Sequence, residues 1–176
     1  MASLTQIELL LPDLRAYAKA LCVEHHEDAE DLVQDAIERA LRTENRPHKL
    51  SELRPWIIRV ARNLYYDELR KRRVRREYFA AEKRLHSDNS YRPQMDRDVL
   101  VRMAFEKLPA DTREILYLVD ILDFKYSDAA WVLNVPKGTV MSRVSRARAA
   151  LLALVEGDGS SSDTKELRVS GQCQRK

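Results

Sequence analysis

The segment from Tyr126 to Arg148, YSDAAWVLNVPKGTVMSRVSRAR, constrains the fold of this chain more than any other stretch. Its apolar spacing predicts a short helix with Ser127 as the N-cap, because the serine hydroxyl can accept a bond from a free amide of the first turn. Pro136 disfavours helical geometry at the preceding residue, so we expect the first helix to end there. Gly138 would then let the chain turn sharply before a second helix that runs as far as Glu156.

This second helix has an apolar side and a cationic side, since no acidic residue occurs between Asp128 and Glu156. We call the polar side the recognition row: Lys137, Thr139, Ser142, Arg143, Arg146 and Arg148. A short helix, a bend and a cationic second helix suit insertion into the major groove of DNA, where arginine can bind guanine edges. A solvated surface helix is the alternative, but the alanine-rich helix and the Pro-Lys-Gly turn before it favour DNA binding.

Composition places the chain among helical globular proteins. It has 176 residues, four glycines and 34% charged residues, which suits one ordinary domain or two small ones. We find no secretory segment and no apolar run of transmembrane length, so we expect a cytoplasmic protein without membrane insertion. Cys22 and Cys173 lie far apart and lack the spacing of a metal site or a disulfide framework.

Three amphipathic patterns in the first half predict one small helical bundle. They cover Thr5 to about Cys22, Asp28 to Arg42, and Ser51 to about Arg76, and each spaces its apolar residues to bury one face. Pro12 falls within the first pattern, so it either kinks that helix or marks its start. Residues 43–51 have the composition of a loop.

The helical pattern returns between Val99 and Leu122, with a break at Pro109. Together with the helix-turn-helix pattern it predicts a second small bundle. We therefore expect an all-α protein of two small helical bundles joined by a flexible linker. The first bundle would occupy residues 1–78, the linker 79–95, the second bundle 96–155, and a disordered polar tail 156–176.

The third helix combines cations with aromatic rings. We call its outward side the arginine row: Arg59, Arg62, Asn63, Tyr66, Arg70 and Arg73. Such a row suits a separated nucleic-acid strand, because bases stack on rings while arginines follow the phosphates. Trp56 lies at the edge of the apolar stripe, where core packing and base contact are equally good interpretations.

The second helix has an acidic row opposite its apolar stripe, formed by Asp31, Gln34, Asp35 and Glu38. An exposed carboxylate row suits docking on a cationic partner helix. A solvated surface is the commoner reason for such a row, so the row alone does not decide between the two.

An enzyme is the least supported class. The sequence has no glycine-rich phosphate loop, nucleophile elbow or His-x-x-x-His pair. A nuclease or phosphate-transfer enzyme would need carboxylates that converge on a metal, and metal-dependent cleavage of DNA would be its signature. We expect no enzymatic activity, no catalytic residue, no cofactor and no bound metal.

Four segments in this order resemble the extracytoplasmic-function (ECF) family of bacterial RNA polymerase sigma factors. They are DAEDLVQDAIERAL, LRPWIIRVARNLYYDELRKRR, FEKLPADTREILYLVDILDFKYSDAAWVL and VPKGTVMSRVSRARAAL, and the resemblance spans about Leu9 to Leu154. It implies that the first bundle is sigma domain two and that the second is sigma domain four, without domains one and three. The implied function is that of an alternative sigma factor, which binds core RNA polymerase and directs it to promoters.

The resemblance also implies a role for each row of side chains. In the family the second helix docks on the clamp helices of the polymerase β′ subunit, which assigns polymerase binding to the acidic row. The third helix and the loop before it recognise and open the minus-ten element, which assigns that contact to the arginine row. The helix-turn-helix recognises the minus-thirty-five element through the recognition row, and domain four also contacts the β flap.

The start of the chain and the segment KLPADTREILYLVDILDFKYSDAA look most like the general-stress subgroup of alphaproteobacteria. In that subgroup a small helical anti-sigma protein holds the sigma factor inactive until a response regulator that mimics the sigma factor releases it. Trp131 departs from the family, which usually has a smaller or more flexible aliphatic residue there. We expect its ring to lie between the helices of the helix-turn-helix and to shift their angle. Asn45 to Lys49 is a second departure, because its Pro and His make the family's minus-ten specificity loop hard to align with this segment.

A stand-alone helix-turn-helix repressor or activator would explain Tyr126 to Arg148 but would leave the acidic row and the arginine row without a purpose. Co-purification with core polymerase would distinguish the two interpretations. The sequence leaves open whether the two bundles tumble independently or pack together and hide their DNA-binding surfaces.

Overall fold

The computed structural model describes residues 4–23, 27–79 and 97–163, and within those ranges every regular element is helical. The helices are α1 (Leu4–Leu21), α2 (Glu27–Arg42), α3 (Leu50–Phe79), α4 (Arg97–Lys107), α5 (Ala110–Leu116), α6 (Tyr126–Leu133) and α7 (Lys137–Asp163). The all-α prediction is confirmed. The expected linker lies largely outside the described residues.

The first bundle consists of α1, α2 and α3, and each contributes one apolar stripe to its core. Representative fully buried side chains are Leu14, Ala36, Leu53 and Ile57. Pro12 lies inside α1, so it does not mark the start of that helix. The bundle therefore forms as the periodicity predicts. Each apolar stripe would be exposed on an isolated helix, and packing the three helices together buries all three stripes.

The second bundle consists of α4 to α7, and the π-helical turn Tyr117–Ile121 extends α5. The amide of Leu122 donates to the carbonyl oxygen of Tyr117 at 2.9 Å, which closes the wider turn. Asp123 then takes a positive φ of 52°, and the amide of Phe124 donates to the carbonyl oxygen of Leu118 at 2.9 Å. This irregular segment leads directly into the helix-turn-helix.

Two local predictions about the helix-turn-helix are wrong. The helix α6 begins at Tyr126, with Lys125 rather than Ser127 as its N-cap residue, and no side-chain bond caps it. The chain turns at Asn134, whose φ of 55° is left-handed, whereas Gly138 lies inside α7. Asparagine tolerates this conformation better than most residues, so the turn is complete before the glycine is reached.

The two bundles pack against each other, with α3 against α6 and α1 against α5. Their buried apolar residues form one continuous core that runs from Ile7 to Ala147. The sequence leaves open whether the bundles tumble independently or pack together, and in the structure they pack together. The helix α7 continues to Asp163, so the start of the expected disordered tail is helical, and residues 164–176 lie outside the described ranges.

Candidate functional site

The recognition row occupies the outer side of α7. Lys137, Ser142, Arg143 and Arg146 are exposed and Thr139 is half-buried. The Ser142 hydroxyl donates to the carbonyl oxygen of Thr139 at 3.0 Å, and Arg146 Nε donates to the carbonyl oxygen of Ser142 at 3.3 Å. The opposite side is anchored in the core by Val140, Val144 and Ala147. The row is therefore held on a rigid helix and faces away from the protein.

Arg148, the last member of the recognition row, has a partner within the protein. Its Nε donates to Asp120 Oδ2 at 3.2 Å, and its Nη2 donates to the other oxygen of the same carboxylate. This bidentate pair joins α7 to the π-helical turn, which gives Arg148 a positioning role in the second bundle. Its predicted contact with DNA remains a prediction.

The acidic row is exposed along α2, with all four side chains turned away from the core. Behind it, Leu32, Val33, Ala36 and Ala40 are buried. Glu38 pairs with Arg42 on the same helix. Further along, Arg72 of α3 bonds to Asp28 at 2.6 Å and fixes α2 against α3. An acidic surface on a rigid helix is available to a cationic partner.

The arginine row is divided between an open part and a covered part. Asn63, Arg70 and Arg73 are exposed, and Arg70 donates to Asp67 at 2.9 Å. Arg59, Arg62 and Tyr66 are only half-exposed, because the second bundle lies on them. Trp56 packs partly buried against the core, which favours the packing interpretation of that ring.

Glu114 of α5 lies at the centre of the contact between the bundles, with 2% of its surface exposed. Its Oε1 accepts bonds from the Tyr17 hydroxyl at 2.6 Å and from Arg62 Nε at 2.9 Å, and its Oε2 accepts from the Tyr66 hydroxyl at 3.0 Å. The guanidinium of Arg62 also lies 4.6 Å from the centre of the Tyr66 ring. One carboxylate of the second bundle thus holds three donors of the first bundle.

Burial raises the pKa of both tyrosine hydroxyls well above the usual value of 10.0, and the negative charge of Glu114 raises it further. Arg62 opposes this effect at both groups. The hydroxyls of Tyr17 and Tyr66 are therefore neutral at physiological pH and can donate to the carboxylate.

Two further arginines of α3 meet the second bundle. Arg54 Nη2 donates to the carbonyl oxygen of Leu122 at 2.7 Å, and its guanidinium lies 4.8 Å from the centre of the Phe124 ring. Arg59 Nη1 donates to the carbonyl oxygen of Trp131 at 3.0 Å, with its guanidinium 4.4 Å from the centre of that ring. Besides the apolar core that the bundles share, the contact between them therefore includes arginines bound to acceptors and aromatic faces.

The expectation for Trp131 is wrong. Its side chain does not lie between the helices of the helix-turn-helix, because Trp131 occupies the side of α6 that faces Arg59 and stays 43% exposed. Sequence reasoning also missed Glu114. The available signal was its position four residues before Leu118, on the stripe that packs into the core, where a charged side chain needs a buried partner.

Two family models match the chain, one on each bundle. Residues 6–75 match Sigma-70 region 2, and residues 98–151 match Sigma-70, region 4. The ECF RNA polymerase sigma factor EcfG of Rhodopseudomonas palustris (strain TIE-1) is 39% identical over 153 residues, which covers 85% of this chain and 82% of that protein. The chain belongs to the ECF family of RNA polymerase sigma factors.

Another member of the family, the ECF sigma factor SigC of Mycobacterium tuberculosis, is 36% identical over 132 residues, which covers 74% of this chain and 71% of SigC. A solved structure also matches: the sigma factor RpoE of Bartonella quintana in complex with the anti-sigma factor NepR. It has a TM-score of 0.68 and 31% identity, and the match covers 88% of this chain and 96% of that one.

The PhyRSL–NepR complex of Sphingomonas sp. Fr1 matches with a TM-score of 0.60 at 17% identity, which shows a shared fold alone. In the part of the chain that the structure describes, no helix has the length and hydropathy needed to cross a bilayer. The same residues contain no group of three or more His, Cys, Asp or Glu side chains that could hold a metal ion.

Proposed function

We propose that this ECF sigma factor binds core RNA polymerase through α2 and contacts promoter DNA through α3 and α7. One observation carries the proposal. Regions 2 and 4 both match, in order, on two bundles that carry an exposed acidic helix and an exposed cationic helix. The acidic row suits a cationic helix of the polymerase, and the recognition row suits the major groove.

The division of labour follows the two bundles. Residues 1–78 hold the acidic row for polymerase docking and the arginine row for the minus-ten element. Residues 96–155 hold the recognition row for the minus-thirty-five element. Asn63, Arg70 and Arg73 are exposed for the melted strand, whereas Arg59, Arg62 and Tyr66 become available when the bundles separate. A captured non-template base would trap opened DNA without nucleotide hydrolysis.

We further propose control by a small anti-sigma protein in a stress response. Support comes from the likeness to EcfG and to RpoE, which was solved with the anti-sigma factor NepR. The family acts as a transcription initiation factor, so the protein would work by binding alone, without catalysis, in the cytoplasm where core polymerase is found.

Run-off transcription with core polymerase across a promoter library tests this function. We expect the purified chain, free of inhibitor, to start RNA synthesis at defined sites that core enzyme alone ignores. A folded chain that starts no transcript at any template would refute the assignment.

A further inference from the structure

The packing of the two bundles treats the three functional rows differently. The acidic row of α2 and most of the recognition row of α7 face outward. The arginine row is covered at its centre, where Arg62 and Tyr66 bond to Glu114 and Arg59 bonds to the carbonyl oxygen of Trp131. The surfaces for polymerase and for duplex DNA are therefore open, while the surface for the melted strand is closed at Arg59, Arg62 and Tyr66.

We propose that Glu114 is an internal competitor of single-stranded DNA, which keeps the strand-binding face of α3 closed until the two bundles separate. We call the contacts of Glu114, Leu122, Phe124 and Trp131 with α3 the clasp. This inference rests on the proposed function, because it takes the arginine row as the surface that receives the melted strand.

The chemistry of the carboxylate supports competition. Arginine and tyrosine are donors that also hold phosphate oxygens. Arg62 and Tyr66 direct those donors at the oxygens of Glu114, at 2.9 and 3.0 Å. The same hydrogen atoms cannot serve the carboxylate and a nucleic acid at once. A ring that contacts a guanidinium, as Tyr66 does with Arg62, is also unavailable to a base on that face.

The clasp contacts α3 at three separate arginines, so it does not depend on a single ion pair. Glu114 binds Arg62, the carbonyl oxygen of Leu122 accepts from Arg54, and Trp131 holds Arg59 through its carbonyl oxygen and its ring. The amide of Leu122 closes the π-helical turn, and the carbonyl group of the same residue faces Arg54 of α3.

Only molecules with an open clasp can bind single-stranded DNA through this surface. The apparent affinity is therefore the affinity of the open form multiplied by the fraction of open molecules. Loosening the clasp should raise that affinity without altering the surface that binds. Duplex binding through α7 should not change, because the recognition row is open in both states.

The test compares Glu114→Ala with Glu106→Ala, which removes the same charge from an exposed position of α4. The probes are a fluorescein-labelled mixed-sequence single-stranded 12-mer and the matching duplex, each measured by anisotropy at one fixed salt concentration. We expect Glu114→Ala to bind the single strand at least about tenfold more tightly than Glu106→Ala. Duplex affinity should be equal in the two variants.

Two further variants keep the test decisive. Adding Arg62→Ala to Glu114→Ala should remove most of the gain, and a gain that persists overturns the proposal. Should Glu114→Ala fail to fold, the exposed Trp131→Ala should still bind the single strand about twofold to fivefold more tightly than the control.

Equal single-strand affinities of the Glu114 and Trp131 variants and the control also overturn the proposal. Run-off transcription with the unaltered chain separates this failure from a failure of the proposed function. Transcription by the unaltered chain together with equal affinities refutes the clasp alone.

Discussion

The bond between Tyr17 and Glu114 should couple the stability of the two bundles. Tyr17 is fully buried in α1, and its hydroxyl lies 2.6 Å from Oε1 of Glu114 in α5. Removing the hydroxyl with Tyr17→Phe leaves the buried carboxylate, which also pairs with Arg62, with one donor fewer. A hydrogen bond to a charged group contributes about 1.5–3 kcal/mol, so we expect a loss of that order in the free energy of unfolding.

Thermal and urea unfolding provide the assay. For a chain of this length the loss corresponds to a fall in melting temperature of about 3–12 °C. The matched control is Tyr65→Phe, because the Tyr65 hydroxyl bonds at 3.0 Å to the carbonyl oxygen of Leu21 within the first bundle. That bond has a neutral acceptor, so its loss should cost about 0.5–1.5 kcal/mol.

A double-mutant cycle with Glu114→Gln isolates the contact between the bundles. We expect a coupling energy of about 0.5–3 kcal/mol between positions 17 and 114, and none between positions 65 and 114. Additive effects at positions 17 and 114 would refute the reasoning, because the two groups would then not meet in solution.

The pH dependence of stability gives the same prediction an independent check. The pKa values of Tyr17 and Tyr66 are raised in the folded protein by burial and by Glu114. Their contribution to stability is therefore complete below the unfolded value of about 10 and is lost as the pH rises above it. Tyr17→Phe should show a smaller loss of stability above about pH 10 than the unaltered chain, and identical alkaline curves would contradict the assignment.

Three other outcomes are expected. Arg146→Ala should lower transcription from cognate promoters at least about tenfold. Its binding to core polymerase in a pull-down should equal that of the control Arg102→Ala, and an equal loss of transcription and polymerase binding would argue against groove binding. Asp35→Lys should weaken polymerase binding at moderate salt more than Glu8→Lys, which reverses an exposed charge on α1, and an unchanged affinity would exclude docking by the acidic row. Burial raises the pKa of the Cys22 thiol to about 11. In a Cys173→Ser background, iodoacetamide at pH 8 should therefore alkylate Cys22 only after denaturation. Rapid labelling of the native chain would disprove this.

The helices were predictable from sequence because their causes are local. The apolar stripes of α1, α2 and α3 follow the helical period, and each bundle can bury them by packing its own helices. Pro109 and Pro136 disfavour helical geometry at the residues before them, Leu108 and Val135, and neither of these residues is helical. The exposed members of the acidic and recognition rows follow from the same periodicity, since they lie opposite the buried stripes.

The packing of one bundle on the other was not predictable, because its contacts involve residue types that usually face water. Arg54, Arg59 and Arg62 look like a solvated cationic surface until Glu114 and the carbonyl groups of the second bundle are placed beside them. The turn at Asn134 was misassigned to Gly138 because both residue types tolerate tight backbone geometry. Choosing between them requires the exact end of α6.

The position of Trp131 equips this protein with its own optical probe. The chain has two tryptophans. The indole of Trp56 packs against the apolar core. The side chain of Trp131 is 43% exposed, and the guanidinium of Arg59 lies 4.4 Å from the centre of its ring. Departure of Arg59 would replace that cation with water and change the emission of Trp131. In a Trp56→Phe background, unlabelled molecules would therefore report each opening event in real time, during encounters with polymerase, nucleic acid or an inhibitor.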